Sequence, residues 1–359
     1  MKILYLSNNR FPTEKAHGLQ IAKMCEAFIQ QGMDVLLMVP NRKQPIEVDN
    51  PKEFYGLKKV IKVRYIWNLD FLLSNVVPRK FAYFLQSFSF AISFALRRWE
   101  YKNHIIYSRT FLPLIGYGGR WFFEAHTFPK SFAGRFFQQI FLRNASGIVC
   151  ISEALAKKYG AIYKGEILIA HDGVDLELFG QFKKTGSKKI VLYTGSPYKV
   201  KGVITLAKAC ETLKGVTCIF LGGNKDEPEF KQLQKIANKS EVIPYVRHSE
   251  VPKYIAEADL LVIPNSGKDR AFAEDTSPLK LFEYMASGKK ILASNVPAIK
   301  AILNEKMAWF FQADDVEDLK EKIVEALNSQ EEKGKLASQA AKKYSWTERA
   351  KEIISFLSI

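Results

Sequence analysis

The sequence is poor in cysteine, and the cysteines it has are far apart. The 359 residues include four, Cys25, Cys150, Cys210 and Cys218, and no two of them form a C-x-x-C pair. This spacing argues against a disulfide framework and against a thiolate metal site. It is typical of reduced packing residues in a cytoplasmic protein.

Long hydrophobic runs are also missing. No stretch reaches the roughly eighteen consecutive apolar residues that a membrane-spanning helix requires. The N-terminal stretch MKILYLSNN has one Lys and a short apolar run before polar residues, which predicts a first strand rather than a signal peptide. We therefore expect a protein of the cytosol or of the cytoplasmic face of a membrane.

Acidic residues are scarce in the first half of the chain. Residues 1–170 hold 24 Lys and Arg against 11 Asp and Glu, whereas the remainder holds 29 against 26, for a total net charge of +16. This asymmetry predicts a polyanionic partner for the first half, either anionic lipid or nucleic acid. Nucleic acid is the weaker alternative, because the sequence shows neither a recognition-helix motif nor base-stacking aromatics among solvated Lys and Arg.

Short branched and aromatic runs alternate with helical patterns along the whole chain. Continuous apolar strands separated by helices predict parallel sheets covered on both faces, so the expected fold class is α/β with two doubly wound, Rossmann-like domains. A polar stretch, ELFGQFKKTGSKK, sets the boundary near 165–185. The first series of strands is 3–7, 35–39, 104–108, 121–125 and 148–152; the second is 167–170, 190–194, 217–222, 241–245, 260–264, 291–294 and 309–311.

The loops that follow these strands are the candidate ligand sites. In open parallel sheets ligands bind at the carboxyl ends of the strands, where loops enter helix N-termini. We expect two facing domains to present two sets of such loops across a cleft. The candidate loops are 8–18, 124–132, 194–202, 221–226, 245–249 and 265–278.

Two of these regions suit a phosphorylated ligand. The loop TGSPYKVKG (194–202) offers backbone N–H groups and ammonium groups to a diphosphate. The stretch SPLKLFEYMASGKK (277–290) predicts a helix with Ser277 as N-cap, Pro278 in the first turn and Gly288 as the stop. Its N-terminus is a second anion site, and Glu283 leans back toward it, which would suit a ribose beside the diphosphate.

The chain resembles the retaining family 4 glycosyltransferases (group 1 glycosyltransferases), which have the GT-B fold of two facing Rossmann-like domains. Three stretches resemble the family's E-x7-E segment, N-G-V-D opening and closing helix: TSPLKLFEYMASGKKILAS, HDGVD and YSWTERAKEIISFL. The resemblance implies an acceptor-binding domain at 1–170, a nucleotide-sugar-binding domain at 171–343 and a C-terminal helix, 344–359, that returns to the first domain.

The resemblance also assigns roles in the second domain. Glu283 would bind the donor ribose. Asp275 stands where the family usually has Glu, with Glu274 adjacent, so either is expected to meet the donor sugar. Ser196 replaces an Arg common in the family, which leaves Lys201, helped by Lys199, as the diphosphate cation. The remaining donor-nucleotide residues are Gly195, Ser277, Pro278, Leu279, Val246 and Arg247.

In the first domain the same resemblance selects two residues, Gly18 and His126, and a strand end selects a third, Arg109. Gly18 is expected at a loop-to-helix junction near the donor phosphate and acceptor, although a Gly in a polar turn has a plainer explanation. His126 is expected near the transferred sugar, although a lone His is more often structural. Arg109, which also ends a strand, would lie on the acceptor side.

The implied reaction needs no cofactor and no metal, since GT-B enzymes generally offset the leaving diphosphate with helix dipoles and Lys or Arg. The acidic pairs Asp226–Glu227 and Asp314–Asp315 lack His or Cys partners. An acceptor hydroxyl would attack the anomeric carbon of a nucleotide-sugar, with a donor phosphate oxygen taking its proton. The alternative enzyme is a nucleotide-sugar 2-epimerase of the same fold, which would need further carboxylates such as Glu124.

The segment 78–102 raises the question of a membrane. It sets Phe81, Phe84, Leu85, Phe88, Ile92 and Leu96 on one helical face, with Phe90 and Phe94 off it and Arg79, Lys80, Arg97 and Arg98 at its ends. Either the stripe is a core face, or the segment docks on anionic lipid. The second alternative predicts a peripheral protein with a lipid-linked or glycan acceptor.

Overall fold

The computed structural model describes residues 1–43, 48, 50–71 and 78–359, apart from the side chains of residues 79 and 80. These residues form two units. The first unit is Met1–His171 with Trp346–Ile359, and the second is Asp172–Ser345.

The first unit is built on a parallel sheet of seven strands. The strand order is β3-β2-β1-β4-β5-β6-β7, so the chain winds outward from β1 in both directions. The strands are β1 Lys2–Leu6, β2 Asp34–Pro40, β3 Lys62–Ile66, β4 Ile105–Ser108, β5 Trp121–Ala125, β6 Gly147–Cys150 and β7 Ile167–Ile169. The helices of this unit before the boundary are α1 Ala16–Gln30, α2 Pro51–Phe54, α3 Arg79–Ala95, α4 Phe132–Leu142 and α5 Glu153–Gly160.

The second unit repeats this plan with six parallel strands in the order β10-β9-β8-β11-β12-β13. The strands are β8 Ile190–Thr194, β9 Thr217–Leu221, β10 Glu241–Ile243, β11 Leu260–Ile263, β12 Lys290–Ser294 and β13 Trp309–Phe311. The helices are α6 Leu176–Gly180, α7 Val203–Cys210, α8 Pro228–Ile236, α9 Val251–Glu257, α10 Arg270–Asp275, α11 Leu279–Ser287, α12 Pro297–Lys300, α13 Val316–Asn328 and α14 Lys333–Ala341.

The last helix, α15 Trp346–Leu357, belongs to the first unit and packs against α1. Phe356 on its inner face meets Phe122 of β5 edge to face, with ring centroids 5.4 Å apart. The predicted fold class is therefore confirmed: two parallel α/β sheets with flanking helices, and a C-terminal helix that returns to the first.

Two strand predictions are wrong. The run 167–170 was expected in the second series, but β7 pairs with β6 at the edge of the first sheet. The strand β3 was not predicted at all, because its sequence, KVRYI, alternates charged and apolar residues. It lies at the opposite edge and pairs only with β2, where one face of a strand can meet water.

The structure also excludes one of the two roles predicted for the stripe on α3, namely that it forms a core face. Its inner face is instead formed by Phe90 and Phe94, which are fully buried, with the small or polar residues Ala82, Gln86, Ser89 and Ser93. Phe81, Phe84, Phe88, Ile92 and Leu96, here called the α3 stripe, are 44–69% exposed. Gln86 donates to Asp70 over 2.6 Å, and Ser89 accepts from the N–H of Leu69 over 3.0 Å, so polar contacts fix this face inward.

Candidate active site

The loop after β8 makes the sharp turn that the sequence predicts. Gly195 has φ +122°, and its N–H donates to Leu221 of β9 over 2.7 Å. After the short 3-10 turn Lys199–Lys201, Gly202 adopts φ +65° directly before α7. A Cβ at Gly202 would overlap the carbonyl oxygen of Pro264, so the loop lies against the exit of β11.

Lys280, which the sequence prediction did not select, lies beneath this loop. Lys280 is 8% exposed, and its Nζ has no hydrogen-bond partner within the described part of the chain. The ammonium group is 3.7 Å from the centroid of the Tyr193 ring, and a Cβ on Gly195 would be 3.0 Å from it. Burial, with a further contribution from Lys201, holds the pKa of Lys280 well below its ordinary value.

Lys201, which is partly buried, is the second cation at this loop. Its Nζ lies 4.7 Å from the centroid of the Phe272 ring, and burial lowers the pKa of Lys201 to about 8. Taking an ammonium group out of water costs roughly several kcal/mol when no carboxylate pairs with it. An anionic ligand would offset that cost. We call Gly195, Lys201, Lys280, His248 and Glu283 the unit-2 cluster.

Glu283 occupies the inner side of α11, where it is 7% exposed. Its Oε1 lies 2.7 Å from Nε2 of His248, which the sequence prediction did not select either. The ring of His248 meets Phe179 edge to face at 5.7 Å. Glu283 is thus held by an oriented partner, and its second carboxylate oxygen can accept from a ligand.

The start of α11 corrects one prediction. The helix begins at Leu279 with Pro278 as N-cap and no side-chain cap, whereas Ser277 accepts the N–H of Asp172 over 3.0 Å. Ser277 thus lies one residue before the capping position, and its hydroxyl binds the backbone of Asp172 instead of the helix N-terminus. The predicted stop is confirmed: Gly288 ends the helix at φ +68°.

The segment 265–278, predicted as a loop, contains the helix α10. Asp269 caps it by accepting the N–H of Phe272 over 3.1 Å, a signal that the sequence did carry. Asp275 ends α10 and is buried, while Glu274 pairs with Arg270 across one turn at 2.5 Å. The structure keeps both carboxylates on one short helix directly before α11.

The remaining second-unit residues are placed more peripherally. Lys199 and Arg247 are exposed, and the N–H of Arg247 donates to Glu250 over 3.2 Å. The side chain of Val246 packs against the core beneath α9 and α11. Ser196 accepts the hydroxyl proton of Tyr193 through its backbone carbonyl over 3.0 Å. These contacts leave Lys201 and Lys280 as the cations at the phosphate loop that are at least partly withdrawn from solvent.

In the first unit a buried carboxylate organises the carboxyl ends of the strands. Glu124 of β5 is 1% exposed, and it accepts hydrogen bonds from Tyr5, Gln20 and Arg349 over 2.7, 2.9 and 2.7 Å. Arg349 comes from α15 and also donates to the carbonyl of His171 over 2.7 Å. This arrangement connects β5 to β1, α1 and α15 through one charge.

His126 and Arg109, both predicted, lie around this carboxylate. Nε2 of His126 is 3.4 Å from Glu124, and Arg109 donates over 2.8 Å to Gln20, which in turn donates to Glu124. Burial alone would raise the pKa of Glu124, but His126, Arg349 and Arg109 together hold it well below its ordinary value. We call Gln20, Arg109, Glu124, His126 and Arg349 the unit-1 cluster.

An ionised Glu124 has a chemical consequence. A carboxylate that stays deprotonated at neutral pH is not available as a general acid. The epimerase alternative would use carboxylates as both acid and base, so an ionised Glu124 could serve it only as a base. His17 is a further nearby group: burial, together with Arg109, Lys15 and His126, lowers the pKa of His17 to about 3, so this imidazole is neutral.

Gly18 lies within the first turn of α1 rather than at its junction with the loop. A Cβ there would come within 2.8 Å of the carbonyl oxygen of Thr13 and within 2.5 Å of the Tyr55 hydroxyl. That hydroxyl accepts from the N–H of Thr13 and donates to its carbonyl over 2.7 and 2.8 Å. Close packing between α1 and the preceding loop thus explains the glycine.

Four residues of the two clusters were not assigned a site role from the sequence: Lys280, His248, Gln20 and Arg349. Lys280 carried a signal, since it is a lone cation among apolar residues of a helix. The other three act through contacts between residues 35 to 225 positions apart, which no local pattern encodes.

Two further findings concern the described residues only. No group of three or more His, Cys, Asp and Glu is placed there to hold a metal ion. No helix among them has the length and apolar character needed to cross a membrane.

Comparison with known proteins agrees with this architecture. The family model "Glycosyl transferases group 1" matches residues 188–329. An uncharacterized glycosyltransferase of Methanocaldococcus jannaschii, MJ1178, is 23% identical over 234 residues, which is 62% of this chain and 62% of that protein. The match thus spans less than two-thirds of that curated relative.

Solved structures match over nearly the whole chain. Sucrose-phosphate synthase from Thermosynechococcus elongatus superposes with a TM-score of 0.78 at 15% identity, covering 99% of this chain and 97% of that one. HepE from Anabaena, in complex with UDP and glucose, gives a TM-score of 0.73 at 15% identity, covering 100% and 99%. These structures give the chain the GT-B fold, and residues 188–329 of its second unit match the group 1 glycosyl transferase family model.

Proposed function

We propose that this protein is a retaining enzyme that transfers a hexose-type sugar from a nucleotide-diphosphate sugar to a hydroxyl of a lipid-linked or glycan acceptor. One observation carries the proposal: the buried Lys280 and the partly buried Lys201 lie at the phosphate loop, and neither has a carboxylate partner among the ion pairs of the described residues. A diphosphate is the ligand whose charge and size match such a pair. HepE, which shares the fold, was solved with UDP and glucose.

The chemistry follows from where negative charge develops. As the bond between the anomeric carbon and the diphosphate oxygen breaks, Lys201, Lys280 and the free N–H groups at the start of α11 would stabilise the departing nucleotide. The acceptor oxygen forms the new bond on the same face, and its proton passes to a donor phosphate oxygen. The products are the glycoside and the nucleoside diphosphate, and no cofactor or metal is required.

The other predicted residues take supporting roles. Glu283, oriented by His248, would accept from the ribose hydroxyls. Glu274 or Asp275 would meet the sugar, and His126 and Arg109 would orient the sugar and the acceptor. Carboxylates suit these contacts because an ionised acceptor makes a stronger hydrogen bond to a hydroxyl than a neutral one does.

A donor screen tests the function directly. The purified protein is incubated with radiolabelled UDP-, GDP- and ADP-sugars, with and without membrane extract, and nucleotide release and labelled products are separated. We expect label in a glycoside of retained anomeric configuration. Interconversion of the sugar without an acceptor would instead identify an epimerase, and neither activity together with tight RNA or DNA binding would identify a nucleic-acid protein.

Glu283→Gln gives a prediction for the donor site. We expect UDP to bind about tenfold or more weakly, because a hydrogen bond to a charged group contributes about 1.5–3 kcal/mol. The amide keeps a contact to His248, so the melting temperature should stay close to that of the wild type. Calorimetry with UDP measures the effect. Unchanged UDP affinity would remove Glu283 from the ribose site.

We also propose that the protein acts at the cytoplasmic face of the membrane, bound peripherally to anionic lipid through its first unit. The α3 stripe supports this, because contiguous exposed apolar surface in a basic unit is typical of membrane docking. A second exposed set, the α4 ridge, consists of Phe132, Phe136, Phe137 and Ile140 at 40–77% exposure. No Asp or Glu occurs at 71–99 or 125–152.

Packed aromatic residues connect these two surfaces. The 3-10 turn Leu112–Leu114 packs against α3, and Phe111, which precedes it, stacks on Phe141 of α4 at 5.9 Å. Lys130, Arg135 and Arg143 flank the α4 ridge, and all three are exposed. Each cation near an anionic surface contributes about 1 kcal/mol of attraction. Arg97 and Arg98 flank α3, whereas the side chains of Arg79 and Lys80 lie outside the described residues.

Vesicle flotation tests this membrane proposal. We expect the wild type to float with phosphatidylglycerol-rich vesicles at low salt and to be released by 0.5 M NaCl, roughly as Debye screening requires. Phe84→Ser with Phe88→Ser should lower the floated fraction several-fold. The control is Val324→Ser with Leu336→Ser, which alters similarly exposed side chains of the second unit. Equal recovery with neutral and anionic vesicles, or none at low salt, would refute membrane docking.

A further inference from the structure

The unit-1 cluster contains an expensive feature that packing alone does not explain. Glu124 and Arg349 form an ion pair in which the side chains are 0% and 2% exposed. Removing two charges from water costs about as much as their attraction returns, so a buried pair contributes little net stability. Because the ion pair adds little stability, we look for its role in how Glu124 acts on the groups next to it.

Two of the residues around Glu124, His126 and Arg109, are expected to face the sugar and the acceptor. Oε1 of Glu124 accepts from Gln20 and Arg349 and lies 3.4 Å from Nε2 of His126. Oε2 accepts from Tyr5. Gln20 links Glu124 to Arg109, because its own Oε1 accepts a hydrogen bond from the Arg109 guanidinium. One carboxylate therefore touches or indirectly holds both predicted residues.

We propose that Glu124 is a positioning residue, whose buried carboxylate orients the imidazole of His126 and favours its protonated form, with Arg349 of the C-terminal helix as the countercharge. Glu124 itself, fully buried and already bonded on both oxygens, touches no substrate. Removing Glu124 would remove the carboxylate beside His126, which disfavours the imidazolium. His126 interacts with Glu124 and with the neutral imidazole of His17; Arg349 and Arg109 act on the same carboxylate, and Arg109 and Lys15 act on His17.

The experiment is a titration of single histidines in the full-length protein. The chain has five histidines, and labelling them with carbon-13 allows each ring to be followed by NMR, with His126→Asn and His248→Asn assigning two signals. In Glu124→Gln we expect the pKa of His126 to fall by about one to three pH units, because a carboxylate at contact distance raises a histidine pKa by that order. His248 is the internal control, since its own carboxylate partner is Glu283 in the other unit.

A second variant separates positioning from folding. Glu124→Gln removes the buried countercharge of Arg349, which by itself can destabilise the unit. The double variant Glu124→Gln with Arg349→Met removes both charges. We expect it to fold, as judged by circular dichroism, and still to show the lowered His126 pKa and a lowered kcat with an unchanged donor KM.

Two results would overturn the proposal: a His126 pKa in Glu124→Gln equal to that of the wild type, or a double variant in which both the pKa and kcat return to wild-type values. The inference rests on the proposed function for the meaning of kcat. The titration needs no turnover, so a protein without transferase activity would disprove the function while leaving the His126 measurement decisive for Glu124.

Discussion

Lys280→Met is expected to lower kcat/KM by about 100-fold or more, which is the cost of removing one preorganised group that stabilises developing charge. UDP affinity should fall by about tenfold to 150-fold, since a charge-assisted hydrogen bond contributes about 1.5–3 kcal/mol. Methionine fills the same volume against Tyr193 without the charge, so the fold should persist. Calorimetry and steady-state kinetics measure the two effects.

The matched control for this substitution is Lys300→Met. Lys300 also lies over an aromatic ring of the second unit, at 4.2 Å from the centroid of Phe310, but it is paired with Glu305 and remote in sequence from the phosphate loop. This variant should bind UDP as the wild type does. If both variants bound UDP equally well, the buried ammonium of Lys280 would have no part in the donor site.

The same site predicts a pH dependence. The pKa of Lys280 is well below its usual value in the free protein, and that of Lys201 is about 8. A bound diphosphate favours the charged lysines and raises both pKa values, so UDP binding takes up protons. Its affinity should therefore decrease as the pH rises from 7 to 9.

The fold was largely predictable because its signals are local and repeated. Apolar runs such as 190–194 and 260–264 are buried on both faces, which is why period and length sufficed to find them. The strand β3 was not predicted, because an edge strand exposes one face and its sequence, KVRYI, has no apolar run. The assignment of 167–170 failed for a different reason: which sheet a strand joins depends on pairing partners, and these are not visible in the strand itself.

The candidate site was proposed from motifs and not from contacts. Glu283, Lys201 and the phosphate loop were selected because a helix start, a glycine turn and a charge are encoded within a few residues. Lys280 was passed over because a lysine in a helix is usually solvated, and its burial depends on the turn at Gly195 above it. For the α3 stripe the sequence left a core face and an exposed face as alternatives, because polar contacts to Asp70 and Leu69 decide which face turns inward.

Gly202→Ala is expected to disrupt the phosphate loop, and Gly215→Ala provides a matched control. Both glycines have left-handed backbones, at φ +65° and +69°. A Cβ at Gly215 meets nothing within 4 Å, whereas one at Gly202 overlaps the carbonyl oxygen of Pro264. Gly215→Ala therefore costs only the backbone penalty of about 1 kcal/mol, whereas Gly202→Ala adds a steric clash between the new Cβ and a backbone carbonyl.

The clash at Gly202 has to be relieved by moving either the start of α7 or the exit of β11, and both movements displace Lys201. We expect the melting temperature to fall by about 10 °C in Gly202→Ala, against about 3 °C in Gly215→Ala, since roughly 1 kcal/mol shifts a unit of this size by 2–4 °C. UDP affinity should drop in the first variant only. Scanning calorimetry with and without UDP checks both effects, and equal melting temperatures would show that Pro264 does not constrain the loop.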